Sequence, residues 1–396
     1  MWRVTAVNRP PSRRPRNRKA LILAAAIDCF QRSGYQATEM KDIAAAVGIT
    51  AAALYHHFRS KQELLGAALL DSSDHLWRTV AAAEAEGLES LLRLLTSFSL
   101  DHRSYSIVWY REIRHLSSEH RDEVRQRQQR ISGTLGKALQ SSRPDLGPTE
   151  TALISWAVMA ALGSPSYHRI ELPRPRFEEL LLGLGRAMTQ VRLSPTDAPA
   201  PRTGPRLRPV SRREALLTAA VTLFTERGYQ AVSMEDVGAA VGVSRLSVYN
   251  YFPSKADLLS AVLHRVSEEK WATLNRSLAQ SETEEEALRR IVRSYAESTV
   301  LDRGSGAMLL VSELAHIPSA DRDALLRLQV DYVAEWVALF LGCRPTLSQS
   351  EAGILVNAVL VMLSVLPRLP LLSQRDDLAG PLAELALTIL DVPAPS

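Results

Sequence analysis

Residues 18–65 recur, without a gap, as residues 212–259, and 21 of the 48 paired positions are identical at an offset of 194. A fainter echo follows, in which Glu112, His115, Arg121 and Asp122 return as Glu313, His316, Arg322 and Asp323 at an offset of 201. The second copy therefore carries about seven extra residues, and the period is far too long for a solenoid, whose repeats run to about 20–45 residues. The duplicated object is a whole pair of domains. A length of 396 residues with 46% hydrophobic content suits several folded cores.

The repeat is helical in pattern. Leu23, Ala26, Ile27 and Phe30, and again Leu217, Ala220, Val221 and Phe224, follow the i, i+3, i+4, i+7 rule. Strand-like alternation is absent from the pattern, so the fold class is all-α. A first helix is expected to end near Gly34 (Gly228). A short second helix holds Met40, Ile43, Ala44 and Val47 (Met234, Val237, Gly238 and Val241), and Gly48 (Gly242) supplies the break. A third begins at Thr50 (Ser244), each a natural N-cap, and ends near Phe58 (Phe252). Two short helices around a tight glycine turn form a helix-turn-helix, whose second helix enters the major groove. Ser60-Lys61-Gln62-Glu63 then reads as a capping box, and Ser254-Lys255-Ala256-Asp257 as its acidic variant.

Charge agrees with a polyanionic partner. Residues 1–70 hold eleven Lys/Arg against four Asp/Glu, and residues 202–264 hold eight against five, on a chain whose total is only +4. Everything outside these two segments is net acidic, and phosphate neutralisation supplies most non-specific nucleic-acid affinity. Cys29 and Cys343 are the only cysteines, which excludes a disulfide framework and suits a cytoplasmic location. No signal or membrane span is expected, since the longest apolar stretch, 354–366, is interrupted by Asn357 and Ser364 and followed by Pro367.

The repeated residues carry a resemblance. Gly34-Tyr35, Asp42-Ile43-Ala44, Gly48-Ile49-Thr50, Leu54-Tyr55-His56-His57-Phe58 and Ser60-Lys61 resemble the TetR family signature, and Gly228-Tyr229, Asp236-Val237, Gly242-Val243-Ser244, Val248-Tyr249-Asn250-Tyr251-Phe252 and Ser254-Lys255 match it again. The resemblance implies a ligand-binding and dimerisation domain after each helix-turn-helix, DNA affinity that falls when ligand binds, and a dimeric DNA-binding species. The tandem layout, with Val108 to Arg125, is similar to single-chain TetR regulators associated with mammalian-cell-entry lipid-import operons. The expected organisation is a basic arm (1–17), a first helix-turn-helix domain (18–70) with its helical domain (71–193), a Pro-rich linker (194–211), and a second pair (212–264 and 265–392). Fully extended, such a linker spans roughly 55–65 Å. The last two helices of each copy are expected to dock within the chain as a pseudo-dimer, the alternative being pairing between chains as a homodimer.

The two readers differ in composition. The first presents Thr50, Ala51, Ala52, Tyr55 and His56, the second Ser244, Arg245, Ser247, Tyr249 and Asn250. Arg245 is the best candidate for bidentate guanine contact. Lys61 and Lys255 are expected on phosphates, with Arg16, Arg18 and Lys19 of the arm and Arg212 and Ser233 of the second copy completing the set. The operator should therefore be asymmetric double-stranded DNA. Trp109, Tyr110, His115 and Trp156, with Met308, His316 and Trp336, are candidate pocket residues for a small apolar effector, lipid-like, steroid-like or an acyl thioester. No enzyme motif, metal-ligand spacing or cofactor loop is present, and His56-His57 diverge on a helix. An architectural DNA-binding role without regulation is the rival reading.

Overall fold

A computed structural model describes residues 18–194, 210–302, 305–372, 375 and 377–391. Among the described residues every regular element is helical. The first copy runs α1 (Arg18–Ala37), α2 (Met40–Ala46), α3 (Ala51–His57), α4 (Lys61–Ala82), α5 (Leu88–Asp101), α6 (Tyr105–Glu112), α7 (Ser118–Ser142), α8 (Pro148–Leu162) and α9 (Arg174–Gln190). The second follows the same order. It comprises α10 (Arg212–Arg227), α11 (Met234–Val241), α12 (Arg245–Tyr249), α13 (Lys255–Ala279), α14 (Glu284–Leu301), α15 (Ser305–Ser312), α16 (Ser319–Cys343), α17 (Gln349–Val365) and α18 (Ala379–Ile389). Most of the linker and all of the basic arm, Arg16 included, lie outside the described residues.

Local rules account for the helix ends. Gly34 takes φ 75° and interrupts α1, and Gly228, at φ 81°, stops α10; positive φ costs glycine nothing. Thr50, Ser60, Ser244 and Ser254 each accept a hydrogen bond from the backbone N–H three residues on, worth about 1 kcal/mol per cap.

The two copies dock through their last helices. α8 packs on α17 and α9 on α18. Gly353 permits the approach, since a Cβ there would stand 2.8 Å from Ile170 Cδ1. At the rim Arg176 pairs with Glu351 at 2.5 Å, and Ser194 N donates to Glu384 at 2.9 Å. The segment Gln349–Arg368 is by length and apolarity alone able to cross a membrane, but 78% of that window is buried inside the protein. Its apolarity reflects packing on both sides, against α8 and α16.

The apolar interior is divided unevenly. One continuous core joins the first helix-turn-helix, the first body and the second body. The second helix-turn-helix has a core of its own, built on Leu216, Phe224, Val237, Val248, Phe252 and Leu259, and touched from the body by Leu309, Leu310, Ile317 and Leu325.

Candidate nucleic-acid interface

Each reader helix is fixed by one buried residue and two flanking anchors. Leu54 and Val248 are fully buried, as are Ile43 and Val237 of the preceding helices, so the opposite faces of α3 and α12 turn to solvent. On α3 that face holds Thr50, Ala52, Tyr55 and His56, with Ala51 half-buried; Tyr55 is 52% exposed. On α12 it holds Ser244, Arg245 and Asn250, with Ser247 and Tyr249 half-buried. Thr50 and Ser244 accept from Ala53 N and Ser247 N at 3.1 and 3.3 Å; the Thr50 hydroxyl proton is left for an external acceptor, whereas the Ser244 hydroxyl also lies 3.1 Å from that of Ser247. Arg245 has its guanidinium carbon 5.5 Å from the Tyr249 ring centre. Its Nη2 also donates to the Tyr249 hydroxyl at 3.5 Å, and both contacts lie on the surface.

Two expectations on charge need correction. Lys61 does not point outward: its Nζ donates to Gln36 O and Thr38 O at 3.2 and 2.8 Å and sits 4.5 Å over the Tyr35 ring. Lys255 repeats this with Tyr229 O, Gln230 O and Val232 O, the last at 3.0 Å, over the Tyr229 ring. An ammonium has three donors, and here they close the carbonyls left open after the first helix. Burial lowers the pKa of both lysines. Ser233 is likewise occupied, accepting from Asp236 N at 3.1 Å as the cap of α11. Lys19 and Arg212 are exposed on the first turns of α1 and α10, and Arg18 is half-buried.

Sequence reasoning missed two surface residues. Leu246 is 74% exposed on α12, an apolar side chain placed where it can meet a thymine methyl; its position opposite buried Val248 was the available signal. Arg213 stacks on Phe252 with its guanidinium carbon 5.4 Å from the ring centre, a contact between α10 and the end of the reader that no local pattern reveals.

The candidate pocket residues separate into groups. Trp109 and Tyr110 stack at 5.4 Å and line a cavity of only about 40 Å³ in the first body. Trp156 borders an open groove between α7 and α8. Trp336 is closed off in the core, edge-on to Tyr295 at 5.7 Å. His115 and His316 stack on Tyr35 and Tyr229, at 4.7 and 4.9 Å. The Met308 side chain lies outside the described residues. A larger cavity, about 240 Å³, lies in the second body, bounded by Lys270, Tyr295, Leu310, Val311 and Tyr332, with Ile107 of the first copy in its wall. Among the described residues no group of three or more His, Cys, Asp or Glu could hold a metal ion.

Known proteins match both helix-turn-helix regions and part of the first body. The model of bacterial regulatory proteins of the tetR family matches residues 22–68 and again 216–262, and that of the tetracyclin repressor-like C-terminal domain matches 81–167. HTH-type transcriptional repressor KstR2 of Mycobacterium tuberculosis is 32% identical over 143 residues, 33% of this chain and 72% of that protein. KstR2 of Mycolicibacterium smegmatis is 33% identical over 103 residues, and the chain spans only 50% of that relative's length. HTH-type transcriptional regulator RutR of Escherichia coli is 31% identical over 34% of this chain and 66% of its own. Among solved structures, the regulator PfmR of Thermus thermophilus is 22% identical over 48% of this chain and 100% of its own, with a TM-score of 0.40. The chain belongs to the TetR family, as a regulator with two helix-turn-helix regions in one polypeptide.

Proposed function

We propose that this protein is a ligand-responsive transcriptional repressor that grips one asymmetric operator with both readers, as a single-chain pseudo-dimer. The observation that carries the reading is the pair of unlike reader faces, alanine-rich on α3 and arginine-bearing on α12, mounted on bodies that dock through α8, α9, α17 and α18. Fusion of this kind replaces a bimolecular encounter by a high effective concentration. The domains then run 18–70, 71–193, 212–264 and 265–392, with Arg16 and the rest of the arm tracking phosphate. Repression is the role for which the KstR2 relatives are named.

The effector belongs in the second body. Trp109 and Tyr110 occupy in the first copy the places that Leu310 and Val311 hold in the second, and the smaller side chains leave the larger cavity. Lys270 lies 5.4 and 5.9 Å from the Tyr295 and Tyr332 ring centres and has no carboxylate within 4 Å among the described residues. An apolar body ending in an anionic group fits these walls, consistent with control of lipid or steroid uptake or catabolism.

The test is selection from a random duplex library, followed by challenge with a long-chain fatty acid, a sterol-derived acid and a long-chain acyl-coenzyme A. Release of selected DNA by one of them supports ligand-responsive control. Selection of DNA whose binding none of them alters, with no change in reporter transcription, supports an architectural role instead.

A further inference from the structure

Each unit fastens the end of its first helix through a buried acid, but the two obtain their arginine differently. In the first, Arg111 comes from within: its Nη2 donates to Phe30 O and to Gln31 O, the latter at 3.1 Å, and its Nε donates to Glu112. Phe224 and Glu313 stand at the matching places of the second unit. The place of Arg111 is taken by Ser312, whose hydroxyl donates to Glu313 at 3.2 Å and is too short to reach α10.

The missing guanidinium arrives from the other copy. Arg114, in the 3-10 turn Ile113–His115, donates from Nη2 to Glu313 and from Nη1 to Phe224 O at 3.5 Å. Its Nε lies 3.4 Å from where a Cβ on Gly228 would stand. The second copy has Ala315 where the first has Arg114, so no reciprocal contact exists.

We infer that Arg114 is a positioning residue supplied by the first unit to the second reader, so that recognition by α12 depends on the first unit and recognition by α3 does not depend on the second. This rests on the reading that both readers bind DNA. Glu313 is 1% exposed, and a buried carboxylate stripped of its partner is strongly destabilising. Phe224 O is one of the carbonyls a helix leaves open at its end, and α11 and α12 follow directly from that end. The same two elements frame the cavity: Ile107 lies on α6, and Leu310, Val311 and Leu314 lie on α15 and the turn beside Glu313. A ligand that moves α15 thus pulls directly on the borrowed arginine.

The experiment compares wild type, Arg111→Ala, Arg114→Ala and the double variant Arg114→Ala/Ser312→Arg on duplex DNA selected by the wild-type chain. Half-sites are assigned by the protection lost in Tyr55→Ala and Tyr249→Ala. Arg114→Ala is expected to weaken the Tyr249 half about tenfold, within the range of site-to-site coupling, and to affect the Tyr55 half far less, since on that side its Nε donates only to His115 Nε2, at 3.3 Å. Arg111→Ala gives the reverse, and restoring an arginine at position 312 rescues the second half. Hydrogen exchange without DNA reads the same asymmetry, with residues 224–233 accelerated by Arg114→Ala and residues 30–39 not. Should Arg114→Ala fail to fold, Arg114→Lys keeps the charge but loses the planar fork and is expected to show the same bias. Equal loss in both halves, or equal exchange in both segments, overturns the inference. Selection of no DNA by the wild type overturns the two-reader reading instead, while the exchange data still decide the role of Arg114.

Discussion

The two readers share 21 positions yet are held to the body in opposite ways. The first is continuous with the main core and carries its own arginine latch. The second keeps a separate core and takes its arginine from the first copy. Where the first copy has Arg111 the second has Ser312, and the guanidinium at that place is Arg114 of the first copy.

The comparison breaks most readily in the cores. Phe30 and Phe224 are both fully buried, and truncating either to Ala is expected to cost about 3–5 kcal/mol. Phe224→Ala should release the second reader alone as an early, local step, whereas Phe30→Ala should lower the main transition; calorimetry with exchange mapping distinguishes them. A smaller effect sharpens the contrast at the DNA. Arg245→Ala is expected to lose about 1–3 kcal/mol of discrimination at one guanine of the second half-site, measured by competition among single-base variants. Lys255→Met should lower stability by about 1 kcal/mol, the net worth of its carbonyl bonds, without reducing the slope of log affinity against log salt; a phosphate contact would reduce that slope by about one.

A further effect is on pH. The His115 pKa is held down to about 4, first by burial and then by Arg114, Lys61 and Arg111, while Glu112 lies 3.7 Å away and Tyr35 stacks on the ring. Between its ordinary value near 6.5 and that depressed value, the unfolded chain binds more protons than the folded one. Stability is therefore complete above pH 6.5 and declines as pH falls toward 4. His115→Phe, which preserves the stack, should flatten thermal melting across that window.

Much of this was legible in the residues. Alignment of the two copies placed the helices, and Thr50, Ser60, Ser244 and Ser254 cap them as their hydroxyls suggested, because capping is local chemistry. The lysines misled because Lys61 and Lys255 reach back about 25 positions to carbonyls that no pattern exposes. His115 and His316 each stack on a tyrosine, Tyr35 and Tyr229, which their repetition alone did not reveal. The replacements of Arg111 by Ser312 and of Trp109-Tyr110 by Leu310-Val311 were visible in the aligned copies. Their meaning needed the packing of α6 against α15, nearly 200 residues apart.

The most direct test of the central claim is a footprint on the selected operator, with the number of chains per site counted by native mass spectrometry, for wild type, Tyr55→Ala and Tyr249→Ala. One chain on one asymmetric site, with each substitution stripping a different half, is the predicted result. Two chains per site, or a footprint that only one of the two tyrosines affects, would contradict it.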